Sequence, residues 1–256
     1  MRVRLPPLDT HAHINPRTSP ADLEGLSAAI FAMTRSLEEA TLVKYRADTH
    51  VVWAVGCHPG VVRAQKAFDA SRFADLLRGA AAAGELGLDG TSAVAMDRQR
   101  EVLRAALSEL VAQPRIVSLH SHRAQASLLD ELERTPVTGS VLHWWLGSAA
   151  ETKRAVELGC YFSVNAMMVA RPGALDAVPP DRILTETDHP YGDRKGPAPR
   201  LPGRVENVEA VLARRWGVEQ AQARVHVWQN FARLVGQTSS GRLLPRAIRT
   251  HIVALP

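Results

Sequence analysis

The chain has 256 residues, 46% apolar and 22% charged, which suits one large core and excludes a disordered chain. No apolar run reaches the ~18 residues of a membrane helix, and the start, "MRVRLPPLDTHAH", has no signal-peptide apolar region. A formal net charge of +5 favours anionic partners, nucleic acid among them, and two scattered cysteines, Cys57 and Cys160, read as buried free thiols of a cytoplasmic protein.

Short apolar runs alternate with amphipathic stretches along the chain. "VRLPPLD" (3–9) predicts a first strand and leads into Asp9, His11 and His13. "AAIFAMT" (28–34) predicts the second, and "VVWAVGC" (51–57) the third, with His58 at its end. "AAGELGL" (82–88) is the fourth and carries Glu85. Residues 97–112 follow, with Val102, Leu103, Ala106, Leu107, Leu110 and Val111 on two i, i+4 rows of a helix. "RIVSLH" (115–120) ends in His120, with His122 just beyond, and "VLHWW" (141–145) carries His143. A helix over 148–159 opens on Ser148 with Glu151 three residues later and stops at Gly159. "YFSVN" (161–165) and "ILTETD" (183–188) complete the set, the last ending in Glu186 and Asp188. Runs so short and apolar suit strands covered on both faces. Eight of them, alternating with helices, predict a (β/α)8 TIM barrel over residues 1–236. Residues 237–256 form an extension for which partner docking, packing on the barrel and fraying are all open.

In such a barrel the chemistry sits at the carboxyl ends of the strands. Each polar residue there has a plain reading by itself: His120 as a core histidine, Glu85 as a turn acid, Asp188 as a turn former before His189 and Pro190. Together they converge on one face. A buried polar group without a partner costs about 1–3 kcal/mol, and a divalent cation is a partner several of them can share. Histidines at i and i+2 on a strand point the same way, so one ion can take both His11 and His13. A carboxylate can bridge two ions. The set therefore divides into His11, His13 and Asp188 on one ion, His120 and His143 on a second, and Glu85 between them. Two ions about 3.5–4 Å apart would activate a water and stabilise both oxygens of a phosphodiester displacement.

The ordered motifs "LDTHAH", "GCHP", "GELGLDG", "LHSHRA", "LHWWLGS", "LTETDHPY" and "WQNFARLV" resemble those of the TatD metal-dependent deoxyribonucleases, from about residue 5 to residue 235. The resemblance implies a TIM barrel of the metal-dependent hydrolase type, one or two divalent ions (Mg, Mn or Zn) and hydrolysis of DNA, single-stranded or from 3′ ends. It makes His11, His13, Glu85, His120, His143 and Asp188 metal ligands, with Glu85 and Asp188 also catalytic, Asp188 as general base. It makes His58 a phosphate contact, and Asp9 and Glu186 groups that orient histidines from behind. Three departures bear on substrate. Ile14-Asn15 replaces a common Leu-Asp. His122 stands where the family usually has arginine, so the phosphate contact is expected to weaken or pass to Arg123. "GRVENVEAV" (203–211) replaces an Arg-Asn-Glu-Pro segment, with Arg204 and Asn207 as imperfect substitutes. The shortened chain looks most like TatD members of Qat-type anti-phage systems, which implies defence-system partner proteins.

The loop "GDRKGPAPRLPGR" (192–204) reads either as solvated or as a phosphate-gripping rim; of Trp144 and Trp145, alternating faces of the strand make one a core residue and leave the other as a base-stacking candidate. The alternatives to a nuclease are an amidohydrolase-type enzyme acting on a small molecule or nucleotide, and a non-enzymatic binding barrel. Many amidohydrolases bridge their ions with a modified lysine at strand 4, where this chain has Glu85.

Overall fold

The computed structural model describes residues 4–256. Eight parallel strands lie in the order of the chain, β1 (Leu8–Ala12), β2 (Ala29–Met33), β3 (Val51–Val55), β4 (Ala82–Gly87), β5 (Ile116–His120), β6 (Ser140–His143), β7 (Tyr161–Val164) and β8 (Ile183–Thr185). All are parallel neighbours, and helices cover them, so nearly every strand residue is buried. This is a TIM barrel.

The first strand differs from expectation. It begins at Leu8, after Pro6 and Pro7, which have no N–H to give to a ladder, and it runs on through His11 to Ala12. Val3, where the predicted strand began, lies outside the described residues.

No ladder joins β8 to β1; side chains close that seam. The Thr10 hydroxyl donates to the Thr185 carbonyl (3.0 Å) and the Thr185 hydroxyl to the Leu8 carbonyl (2.5 Å). Beyond them the Asp188 N–H donates to the His11 carbonyl (2.8 Å) and the His13 N–H to the His189 carbonyl (2.9 Å). The seam thus ties the first histidine pair to the last acid.

The helix Met96–Ala112 buries Val102, Leu103, Ala106, Leu107 and Leu110. Val111, on the same predicted rows, lies in the last turn and is 54% exposed. The helix Ala149–Glu157 carries the expected capping box: Ser148 Oγ accepts from the Glu151 N–H, and the Glu151 carboxylate accepts from the Ser148 N–H. Gly159 follows with φ +80°.

Residues 237–256 pack on the barrel. A short turn, Gly241–Leu243, and a helix, Arg246–Val253, bury Leu244 and Ile248 in the main core. Ser240 Oγ accepts from the Ile116 N–H (3.0 Å) at the start of β5, so the extension sits at the end opposite the strand carboxyl termini. Among the described residues no helix is long and apolar enough to cross a membrane. Burial pushes both cysteine thiols up to about 12, as befits inert core residues.

Candidate metal centre

Strand ends bring His11 (β1), His13 (just after β1), His58 (just after β3), Glu85 (β4), His120 (β5), His143 (β6) and Asp188 (after β8) to one point. Glu85 is the hub. Its Oε1 lies 2.7 Å from His120 Nδ1 and 2.9 Å from His143 Nε2. Its Oε2 lies 3.2 Å from His13 Nε2, 3.4 Å from His58 Nε2 and 3.7 Å from His11 Nε2. Asp188 Oδ1 is 3.6 Å from His13 Nε2 and 3.7 Å from His11 Nε2.

The polar atoms at this hub are incompletely partnered. His11 Nε2 and Glu85 Oε2 are buried and have no hydrogen-bond partner. Buried polar atoms normally have one, and two unpaired acceptors aimed at the same space fit a cation. His11 Nδ1 lies 2.7 Å from Ser118 Oγ; with Nδ1–H donated there, Nε2 presents its lone pair to the centre. Imidazole nitrogens with carboxylate oxygens suit a divalent transition metal or Mg²⁺.

Three donor sets lie close enough to hold an ion: His11, His143 and Asp188; His11, His13 and Glu85; and His58, Glu85 and His120. The sets share His11 and Glu85, so they overlap where the sequence suggested a clean division. His143 stacks on His11, with ring centroids 4.0 Å apart, and joins Asp188 in one set, while its Nε2 also lies 3.0 Å from His120 Nδ1, with Glu85 Oε1 against both. His58, expected only on the substrate side, stands with His120 around Glu85.

Electrostatics follow from crowding. Burial opposes a charge on Glu85, yet the surrounding His58, His143 and His120 hold its carboxyl well below the usual range. Burial lowers His11 strongly, with the other imidazoles adding to it. Burial also works against charge on His143, but Glu85 and Glu186 raise it well above an ordinary imidazole. Burial, with the nearby Glu186 and Glu85, pushes Asp188 up to about 7.

Behind the ring, Glu186 sits 3.8 Å from His143 Nδ1 and accepts from the Asn165 amide (2.8 Å), the Ser163 hydroxyl and the Trp144 N–H (3.1 Å). Asp9 meets His11 at the backbone, where its carboxylate accepts from the His11 N–H (3.3 Å). Its carboxylate accepts from the Thr187 N–H (2.8 Å) and hydroxyl (2.6 Å) and from the Gly203 N–H (2.7 Å). The register of β1 against β2 shifts between Asp9 and Ala12, and such an irregularity re-aims the side chains on either side of it. Asp9 therefore pins the loop after β8. Arg204, next to Gly203, and Arg123, after β5, are exposed, as is His122.

Sequence reasoning missed three participants. Ser118 holds His11, and its signal was present: it lies two residues before His120 on β5 and so faces the same way. Asp89 Oδ2 lies 3.4 Å from His120 Nε2. Tyr191 packs edge-on to His13, with ring centroids 5.9 Å apart. Asp188 (φ +44°), Trp144 (φ +41°) and Arg123 (φ +49°) hold left-handed backbone at strand ends, a cost of about 1–3 kcal/mol each that clusters at functional sites.

A parallel barrel carrying imidazoles and carboxylates at its strand ends defines a metal-dependent hydrolase. Comparison with known proteins sharpens that class, since the TatD related DNase family matches residues 8–236. The chain belongs to this family. It is 30% identical over 237 residues to a "3′-5′ ssDNA/RNA exonuclease TatD" of Edwardsiella piscicida, covering 85% of this chain and 89% of that protein. It is 29% identical over 202 residues to the "uncharacterized metal-dependent hydrolase YcfH" of Escherichia coli K12, covering 72% and 74%. Among solved structures, the TatD homologue YJJV of E. coli superposes with a TM-score of 0.77 at 23% identity, covering 91% of this chain and 98% of that one.

Proposed function

We propose that this chain is a divalent-metal-dependent nuclease that hydrolyses DNA phosphodiesters, acting on single strands from their 3′ ends. The observation that carries the reading is the buried Glu85 carboxylate ringed by His13, His58, His120 and His143, with unpaired acceptors facing inward. The relative named as a single-strand exonuclease gives the substrate class.

His11, His13, Glu85, His120, His143 and Asp188 would hold one or two ions of Mg, Mn or Zn, with His58 able to join His120. Bound ions would supply an activated water and charge stabilisation on the phosphate oxygens. The chain does the rest. Ser118 keeps His11 turned inward, and Glu186, 3.8 Å from His143 Nδ1, places negative charge behind that ring. Asp188, buried at the mouth, is the group to accept the proton of the attacking water. The exposed Arg123 and Arg204, with the basic loop over 192–204, would grip flanking phosphates. The anti-phage setting and its partner proteins rest on the sequence resemblance alone and are not part of this proposal.

The test is degradation of a 3′-labelled single-stranded oligonucleotide by purified protein with Mn²⁺ or Mg²⁺. EDTA and Glu85→Ala should each abolish it. Cleavage that survives both overturns the reading. Turnover of lactones or small phosphoesters with none on DNA would move the chain to the small-molecule reading.

A further inference from the structure

The aromatic contact expected for a nucleic-acid substrate falls elsewhere than on the tryptophans. Trp145 is in the core at 1% exposure, with Nε1–H donated to the Thr152 hydroxyl (2.8 Å), and Trp144 is half-buried. The aromatic ring left open at the mouth is Tyr191, 48% exposed and adjacent to the ligand candidate His13. The two rings meet at 76°, edge to face, so neither stacks on the other. Among the described residues no other aromatic ring packs against Tyr191.

Such exposure normally costs order, but here the backbone is fixed. The Tyr191 N–H (2.6 Å) and the Gly192 N–H (2.8 Å) both donate to the Asp188 carbonyl, and the Met167 N–H donates to the Gly192 carbonyl (3.1 Å). Arg194 Nε donates to the Tyr191 carbonyl (2.9 Å). Gly192 is closely packed: a Cβ there would lie 2.8 Å from Asn165 Nδ2 and from Asp188 Cβ. An exposed ring on a fixed backbone, beside the cluster and flanked by exposed Arg194 and Lys195, has the parts of a single-strand platform: an aromatic face for the base and cations for its phosphate.

We infer that Tyr191 is a substrate-binding residue that stacks on the terminal nucleobase and seats the scissile phosphate at the metal centre. This deepens the nuclease reading and rests on it. Stacking asks only for a π-face, so the platform accepts any base and rejects a terminus that lacks one. A paired terminal base is already stacked within its duplex, so the platform favours single strands.

The test uses a single-stranded oligonucleotide with 2-aminopurine as its 3′-terminal residue, mixed with the Mn²⁺-supplemented protein. Wild type and Tyr191→Phe should quench the fluorescence on mixing, before release; Tyr191→Ala should not. KM for Tyr191→Ala should rise about 5- to 150-fold, with kcat within about twofold. An oligonucleotide ending in an abasic residue should raise the wild-type KM by a similar factor, a measurement that needs no variant. Unchanged quenching and KM in Tyr191→Ala, or an unchanged wild-type KM on the abasic end, overturns the inference. Oligonucleotide turnover by wild type without quenching overturns it and leaves the nuclease reading intact. Absence of both binding and turnover by wild type overturns the two together.

Discussion

Single residues divide here into those that present a donor and those that aim one. His11 and Ser118 form the clearest such pair, 2.7 Å apart and both buried. Ser118→Ala removes the group that fixes the His11 ring and its tautomer and leaves Nδ1 with no partner. Loss of such a support costs about 10- to 100-fold in metal affinity. Mn²⁺ titration by calorimetry should show that loss, together with a drop of about 1–3 kcal/mol in stability in EDTA from the unpartnered Nδ1. An unchanged affinity would mean that packing alone orients His11. At this scale the sequence was readable wherever period 2 or a strand end spoke for itself, as with His11, His13, Glu85 and His120. It was incomplete at Asp9, whose carboxylate meets His11 at the backbone N–H and has further partners that the spacing did not suggest. A register shift, invisible in the sequence, turns that carboxylate toward Thr187 and Gly203 as well.

At the scale of strands, the site depends on how closely β4 and β5 approach. Gly87 holds φ +135°, and a Cβ on it would lie 2.1 Å from the His120 carbonyl oxygen. Gly87→Ala must therefore push β5 away or break the ladder that aligns His120. The backbone strain alone costs about 1–3 kcal/mol, and the clash adds to it. Gly159→Ala is the control, because it has φ +80° but nothing within 4 Å of the added Cβ. Thermal unfolding should show a clearly larger drop for Gly87→Ala, and only that variant should also lose Mn²⁺ affinity. Equal drops would show that backbone strain, not strand approach, sets the cost. "GELG" was legible as a strand from its apolar run. That its second glycine makes room for a neighbouring carbonyl was not, since close approach is a property of the pair of strands.

Across the whole molecule, the two ends of the barrel do different work. The carboxyl ends hold buried charge and strained backbone at Asp188 and Trp144. The amino ends are covered in part by the extension through Ile248, which is fully buried, and Ser240, which caps the first N–H of β5. The alternation of runs was enough to foretell the barrel. The extension stayed open because its apolar residues are few, and their burial depends on packing against the helix over Gln220–Gly236, which spacing does not show. Ile248→Ala would leave a cavity in the core and cost about 2–5 kcal/mol. Since Ile248 contributes to the core at the end opposite His11 and Asp188, the loss should be one of global stability alone. Urea unfolding should shift to a lower midpoint with little change in slope, and Mn²⁺ affinity of the folded protein should match wild type. A variant that folds with a wild-type midpoint would show that the extension merely rests on the barrel. One that loses metal affinity at full stability would show that the two ends are coupled through the strands.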